Sequence, residues 1–102
     1  MGKFVLVYRG GAAPTTEDEG KKVMEAWMGW FGTLGGAVVD VGNPFGASTA
    51  IASDGSTAAA TAGLGGYSVV SADSLSAAAT LSKGCPILEA GGSVEVYEAQ
   101  EM

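Results

Sequence analysis

The segment Glu25–Gly46, EAWMGWFGTLGGAVVDVGNPFG, constrains the fold more than any other part of this chain. An aromatic-rich helical pattern stops at Gly35-Gly36 and becomes a short apolar strand that carries one carboxylate, Asp40. The strand runs into the turn Asn43–Gly46, where proline pre-sets the backbone. Both tryptophans and two of the three phenylalanines lie in this segment. Aromatic side chains, one acid and a rigid turn are typical of a small-molecule pocket, and equally of a plain core.

A capping signal and a periodic stripe define the helix in this segment. Thr16 followed by Glu19 predicts an N-cap with a capping box, and the acids of the first turn complement the helix dipole. Glycine adopts the left-handed conformation without steric cost, so Gly35-Gly36 ends the helix. Apolar residues recur at spacings of three and four along one face: Val23, Met24, Trp27, Met28, Phe31 and Leu34.

The other elements follow from alternation and turn signals. Four strands are predicted at Lys3–Arg9, Ala37–Val41, Tyr67–Ser71 and Val94–Tyr97. A second helix is predicted over Ser74–Lys83, capped by Asp73 or Ser71, with Leu75, Ala78 and Leu81 inward and Gly84 closing it. A weak hairpin, Thr49–Ser53 with Thr57–Thr61, flanks the turn Asp54-Gly55. The stretches Ala62–Gly66 and Cys85–Gly92 are predicted to be loops.

Without the hairpin, the order β-α-β-β-α-β predicts an α+β fold of the ferredoxin-like type with an antiparallel sheet. Right-handed crossovers place the first and third main strands in the centre and the other two at the edges. Both helices then cover one face. The first strand, Lys3–Arg9, is apolar on both sides. The second face therefore needs a cover, which self-association as a homodimer supplies.

Composition narrows the classes of partner. A chain of 102 residues is expected to form a single domain, 1–102. The net charge of −6, with five basic residues, disfavours nucleic acid and an anionic membrane surface. The sequence lacks histidine and has one cysteine, Cys85, so no metal site, cofactor or internal disulfide is expected. No signal peptide or membrane-spanning run is evident, and a cytoplasmic protein is the expectation.

Four segments together resemble one family. They are the opening KFVLVYRG, the stretch WFGTLGGAVVDVGNPFG, the strand GGYSVVSADSL and the close KGCP…GGSVEVYE. This pattern, over essentially the whole chain, is similar to the YCII-related (DGPF-type) proteins. The resemblance implies a dimeric α+β barrel with a cleft between sheet and helices in each subunit, and small-molecule enzymology. Many members pair a histidine in or near the first helix with an acid on the next strand. Asp40 matches the acid, whereas the histidine is absent.

Two readings remain open for the residues around the turn. Asp40 is the candidate catalytic residue, as a pocket carboxylate or general base. Alternatively it is an edge-strand charge that deters aggregation. Asn43 and Phe45 are candidate ligand-binding residues at a pocket rim, or else parts of a structural turn in which Phe45 plugs the core.

The remaining candidate ligand-binding residues are Tyr8, Arg9 and Trp30. Tyr8 can also be a simple packing residue. Arg9, the sole arginine, can anchor a ligand carboxylate or form a salt bridge with a nearby acid. Trp27 and Phe31 are expected in the core, and Trp30, about 300° from Trp27 around the helix, in a pocket, an interface or the core.

Two functions fit these observations. One is a small-molecule-binding protein with lyase- or isomerase-like activity that uses Asp40 with Tyr8, Arg9 or Trp30. The alternative is a non-catalytic binding or accessory subunit that has lost the family's histidine–aspartate proton-transfer pair.

Overall fold

A computed structural model describes residues 2–101 of the chain. The strands are β1 (Gly2–Arg9), β2 (Val38–Asp40), β3 (Ala50–Ile51), β4 (Thr57–Ala58), β5 (Leu64–Ala72) and β6 (Ser93–Ala99). The helices are α1 (Glu17–Leu34), α2 (Leu75–Ser82) and α3 (Pro86–Glu89). A single 3₁₀ turn, Gly35–Ala37, joins α1 to β2. Among these residues, no helix is long and apolar enough to cross a membrane.

The main sheet has the strand order β2-β5-β1-β6, with every neighbouring pair antiparallel. This order confirms the predicted ferredoxin-like arrangement, in which the first and third main strands are central. Leu6 lies opposite Ser68 on β5 and opposite Val96 on β6, which fixes the register of the three longest strands.

The predicted hairpin is present but short. Strands β3 and β4 form a separate two-stranded sheet in which Ala50 faces Ala58 and Ile51 faces Thr57. The turn between them is closed by a hydrogen bond from the Gly55 N–H to the Ala52 carbonyl, 2.9 Å. Gly55 has a φ of +88°, the left-handed conformation that the Asp-Gly pair predicted.

The predicted caps of α1 are confirmed. The Thr16 hydroxyl accepts a hydrogen bond from the Glu19 N–H at 3.1 Å. The Glu19 carboxylate, in turn, accepts from the N–H and the hydroxyl of Thr15, each at 2.8 Å. At the other end, Gly35 has a φ of +54° and its N–H bonds to the Phe31 carbonyl.

The core lies between the helices and one face of the sheet. Phe4, Leu6 and Tyr8 of β1 point into it, and Val70 and Ala72 come from β5. The other buried apolar residues of the core are Trp30, Ala78 and Cys85.

All three aromatic residues of α1 belong to the core or pack against it, and of the alternatives open for Trp30 the structure shows the core. Trp30 is 7% exposed, whereas Trp27 and Phe31 are half-buried. Trp30 faces the segment that follows α2. Its indole N–H donates to the Leu81 carbonyl at 3.2 Å, and a Cβ on Gly84 would lie 3.3 Å from its ring. The helical period gives the angle between the tryptophans, but not the position of α2.

Other differences from the sequence prediction are local. Met24 and Met28 of the predicted inner stripe are 66% and 68% exposed. Leu75 is 48% exposed because α2 begins there, after an N-cap at Ser74. The predicted loop Cys85–Gly92 contains α3, which begins at Pro86, a residue well suited to the first turn of a helix.

The second face of the sheet, called here the open face, has no helix on it in the described chain. It presents Val5 and Val7 of β1, Tyr67 and Val69 of β5, and Tyr97 of β6, which is 52% exposed. The molecule measures 43 × 39 × 19 Å with a radius of gyration of 15.0 Å. A globular domain of this length is expected to have about 13 Å. The subunit is therefore flat and open.

Gly42 is the residue on which the end of β2 depends. It has a φ of +74°, and an added Cβ would lie 1.7 Å from the Tyr67 carbonyl oxygen. We expect Gly42→Ala to lower the free energy of unfolding by at least about 2 kcal/mol, because backbone rather than a movable side chain blocks the methyl group. Gly46→Ala is the matched control, since no atom lies within 4 Å of the Cβ it would add. Urea unfolding of both variants checks this; equal stability would contradict it.

Candidate functional site

A chain of buried hydroxyl groups joins β1, β5 and the end of β2. The Tyr8 hydroxyl donates to Ser68 Oγ at 2.7 Å, and the Ser68 hydroxyl donates to the Val41 carbonyl at 2.6 Å. Tyr8 and Ser68 are 6% and 0% exposed. Tyr8 is paired with Gly66, whose lack of a side chain leaves this part of the sheet free for close backbone approach. Three elements thus meet at one polar point within an apolar layer.

Burial raises the pKa of Tyr8 to about 12, against the lowering effect of its hydrogen bond to Ser68. The phenol therefore keeps its proton at neutral pH and acts as a hydrogen-bond donor. Burial likewise raises the pKa of the Cys85 thiol to about 11. A thiol with this pKa is a poor nucleophile, in agreement with the absence of histidine from the sequence.

Aromatic rings of α1 surround Tyr8. The Trp27 ring meets the Tyr8 ring edge to face, with centroids 4.9 Å apart. Trp30 and Phe31 extend this cluster, at 5.8 and 5.9 Å from Trp27. The exposed side chains of Met24 and Met28 come from positions on α1 next to Trp27. An apolar wall therefore adjoins the hydroxyl pair.

Asp40 lies at the end of β2 and is exposed. Its Oδ1 accepts a hydrogen bond from the Gly42 N–H at 2.8 Å, which closes a turn of the kind that aspartate commonly forms. The next residue, Val41, is the one whose carbonyl Ser68 binds. The carboxylate is thus one residue from the hydroxyl chain, and one of its oxygens serves the backbone.

Arg9 lies on the opposite side of the sheet from Tyr8, because consecutive strand residues point to opposite faces. Its guanidinium pairs with the Glu95 carboxylate, as the salt-bridge alternative predicted. The Tyr97 hydroxyl donates to the other oxygen of Glu95 at 2.5 Å. The Tyr97 hydrogen bond, with Arg9, lowers the pKa of Glu95. Arg9 is therefore part of an ionic group on the open face, away from Tyr8.

Asn43 and Phe45 also lie apart from the hydroxyl chain. The Phe45 ring stacks on Tyr67 of the open face, with centroids 5.9 Å apart and planes 17° from parallel. Phe45 is 45% exposed, so the expectation that it plugs the core is wrong. The Asn43 carbonyl accepts from the Tyr67 N–H at 3.3 Å, and Asn43 is exposed. The turn is a structural one that is fastened to β5.

Among the six candidate residues, the structure thus brings Tyr8 and Trp30 into one aromatic cluster and leaves Arg9 and Phe45 on the other face. Asp40 and Asn43 lie at the exposed end of β2 and the turn after it. Within residues 2–101, no three His, Cys, Asp or Glu side chains lie close enough to hold a metal ion.

An open groove of about 310 Å³ runs between α1 and the segment that leads into α3. Its walls are small residues and the edge of Trp30, with one carboxylate, Glu89. Ligand sites of this size bring several polar groups together. This groove is large enough for a small ligand, but it lacks such a set of polar groups.

Ser68 is the central residue that sequence reasoning missed. It occupies an inward position of β5, between Gly66 and Val70. A hydroxyl group at an inward strand position needs a hydrogen-bond partner, and Tyr8 is the residue within reach. The alternation of Tyr67–Ser71 contained this signal.

The raised pKa of Tyr8 predicts a pH dependence of stability. Between about pH 10 and pH 12 the unfolded chain loses the phenolic proton while the folded protein keeps it, so the unfolded state binds fewer protons. The free energy of unfolding contributed by this group is complete below pH 10 and falls as pH rises through this window, by on the order of 2 kcal/mol. In Tyr8→Phe the free energy of unfolding should fall less over the same pH range.

Urea unfolding of wild type and Tyr8→Phe at pH 8, 9, 10 and 11 measures the difference. Every other side chain is the same in the two proteins, so the subtraction isolates Tyr8. Parallel curves for the two proteins would show that the folded state does not hold this proton.

The chain is similar to known proteins over nearly its whole length. One solved structure is 5-chloro-2-hydroxyhydroquinone dehydrochlorinase from Burkholderia phenoliruptrix, in complex with 2,5-dihydroxybenzoquinone. The two share 19% identity with a TM-score of 0.56, and the alignment covers 97% of this chain and 95% of the other. This likeness shows a common fold. No curated protein matches the chain.

The family assignment rests on the sequence. The YCII-related domain matches residues 4–102, which is nearly the whole chain. The strand order β2-β5-β1-β6 and the fold shared with the dehydrochlorinase agree with this match. The chain therefore belongs to the YCII-related domain family.

Proposed function

We propose that this protein binds a small oxygenated ring compound beside Tyr8, between α1 and the sheet. The observation that carries the proposal is the juxtaposition of the Tyr8–Ser68 hydroxyl pair with the aromatic cluster of α1. Apolar walls with a few placed polar groups are what a small-molecule site requires. The neutral Tyr8 phenol supplies a donor for a ring oxygen, in exchange for its bond to Ser68.

Two further observations favour a flat, oxygen-bearing ligand. Met24 and Met28 offer an exposed, polarisable thioether surface next to Trp27, and sulfur contacts aromatic rings favourably. The dehydrochlorinase that shares the fold carries a dihydroxybenzoquinone in its structure. This supports the same class of ligand here.

In the catalytic form of this proposal, Asp40, at the end of β2, is the general base of a lyase- or isomerase-like reaction. Its exposed carboxylate has one oxygen outside the bond to Gly42 N–H. Tyr8 would hold the ring oxygen on which charge develops, which is the role of a neutral donor in such reactions. Trp30 reaches this region through the aromatic cluster, whereas Asn43 lies in the turn apart from it, and Arg9 and Phe45 lie across the sheet.

The second candidate function is a non-catalytic binding or accessory subunit. The Asp40–Gly42 hydrogen bond favours it, because a turn gives this carboxylate a sufficient structural role. The sequence also has no histidine to share a proton with Asp40.

Ligand binding is tested by calorimetric titration with 2,5-dihydroxybenzoquinone, followed by hydroquinone and catechol. We expect binding by wild type that Tyr8→Phe weakens by at least about fivefold, since a hydrogen bond to a bound ligand is worth about 1 kcal/mol. Tyr97→Phe is the matched control, because it removes a tyrosine hydroxyl from the opposite face. Failure of all three compounds to bind, or equal losses in both variants, would contradict the proposal.

Two substitutions of Asp40 separate the catalytic form from the binding form. Asp40→Asn keeps an oxygen for the Gly42 N–H, whereas Asp40→Ala removes it and should cost about 1 kcal/mol of stability. A general base is lost in both variants, so product formation from any compound that wild type converts should vanish in both. If the two variants differ from each other in stability but both form product like wild type, Asp40 has only its structural role in the turn.

We also propose that two copies associate through the open face. The subunit exposes 6853 Å², whereas a monomer of 10.1 kDa is expected to expose about 5,300 Å². The excess, about 1,600 Å² on one subunit, is about twice the roughly 800 Å² that each partner buries in a standard protein interface. The open face carries large apolar side chains at its centre, Val5, Val7 and Tyr67, and the ionic group of Arg9 and Glu95.

Val7→Glu tests this interface. Val7 is half-buried at the centre of the open face, so a glutamate there would place an unpaired charge in a dimer contact but can reach water in a monomer. We expect wild type to sediment at twice 10.1 kDa at tens of micromolar, and the variant to sediment as a monomer with unchanged far-ultraviolet circular dichroism. A monomeric wild type would refute the dimer.

A further inference from the structure

Residues 47–61 form an arm that stands away from the rest of the fold. The arm contains β3 and β4, and nearly all of its residues are exposed. In the part of the chain that the structure describes, its hydrogen bonds stay within the arm. They join Thr49 to Ala58, Ala52 to Ser56 and Gly55 to Ala52, and Asp54 to Ser56. The arm is therefore ordered by its own contacts, without support from the core.

The root of the arm is fixed to the sheet. The Phe45 N–H donates to the Gly65 carbonyl at 2.9 Å, and Pro44 forms a β-bridge with Gly66. The Phe45 ring stacks on Tyr67. Tyr67 is paired with Val7 and points to the open face, since its neighbours Gly66 and Ser68 are buried on the helix side. The chain therefore enters the arm from the open side of the sheet.

The arm is nearly uncharged for a segment with this exposure. Asp54 is its one charged residue, and the carboxylate of Asp54 is tied into the turn by the N–H and the hydroxyl of Ser56, at 2.9 and 2.6 Å. Ile51, in β3, is 65% exposed. Ile51 and the free edges of both strands are therefore accessible to another surface, and almost no charge on the arm opposes such a contact.

We propose that this arm packs against a second copy of the chain, with Ile51 as its apolar contact. The inference rests on the proposed homodimer, because the arm leaves the subunit on the face through which the two copies associate. The second copy is the occupant that the observations favour. Phe45 at the root is continuous with the apolar open face, and the excess surface of the subunit is more than one partner buries in a standard interface. Each subunit thus contributes an arm that extends the contact beyond the two sheets.

Ile51→Asp tests the arm in the full-length protein. Removing an apolar contact and placing a charge in the interface should raise the dimer dissociation constant by at least about tenfold in analytical ultracentrifugation. The unfolding midpoint of the monomer should not change, because Ile51 has no core contact to lose. Leu75→Asp is the matched control: it adds the same charge at an apolar residue that is 48% exposed, at the first position of α2.

A second variant keeps the test decisive. Residues 48–60 are replaced by Gly-Ser-Gly, which the proximity of Phe45 to Gly65 permits. This variant should fold and should dimerise at least as weakly as Ile51→Asp. If both variants dimerise like wild type while Val7→Glu is monomeric, the arm proposal fails and the dimer stands. If wild type is monomeric, both proposals fail.

The alternative that the arm folds back on its own subunit is resolved by spin labelling. Ile51→Cys carries a nitroxide, and Cys85 is 2% exposed and so resists the label. The labelled protein is mixed with an unlabelled copy enriched in ¹⁵N. Broadening of amide signals in the ¹⁵N copy supports the proposal. A second sample carries the nitroxide and ¹⁵N on the same chain. Broadening in this sample, with none in the mixture, overturns the proposal.

Discussion

Helices cover one face of the four-stranded sheet, although β1 is apolar on both sides. This imbalance governs the rest of the structure. Phe4, Leu6 and Tyr8 pack beneath the helices, while Val5 and Val7, their immediate neighbours, lie on the open face. No rearrangement within a chain of this length can cover both faces, because the connections place both crossover helices on the same side. The flat shape and the excess surface follow from this constraint.

The two faces also differ in the polar groups they contain. The helix side holds the neutral pair of Tyr8 and Ser68, whose hydroxyls are both bonded, so burial costs little. The open face holds the charged group of Arg9, Glu95 and Tyr97. Burying charges is costly unless each is paired. Glu95 is paired with Arg9 and hydrogen-bonded by Tyr97, so the group can enter an interface without an orphaned charge.

The sequence correctly predicted the features that depend on short-range backbone rules and on the handedness of connections. The cap at Thr16 and the stop at Gly35 follow from backbone rules, and the strand order follows from the handedness of the crossovers. The sequence did not predict which flank of α1 is buried, because the helical stripe cannot tell whether α2 packs beside Trp30 or beside Met28. Ser68 was missed since its partner, Tyr8, lies 60 residues away in the chain. Rules based on neighbouring residues do not predict contacts between residues so far apart in the chain.

The segment from Asp40 to Gly46 connects the candidate site with the open face. Ser68 binds the Val41 carbonyl on the helix side of the sheet, and Phe45 stacks on Tyr67 on the other. These contacts come from neighbouring residues of β5, which point to opposite faces. Gly42 lies between these two contacts, and the Tyr67 carbonyl leaves no room there for a side chain. The proposed ligand site beside Tyr8 and the proposed interface on the open face are therefore joined by one short segment, the residues from Val41 to Phe45.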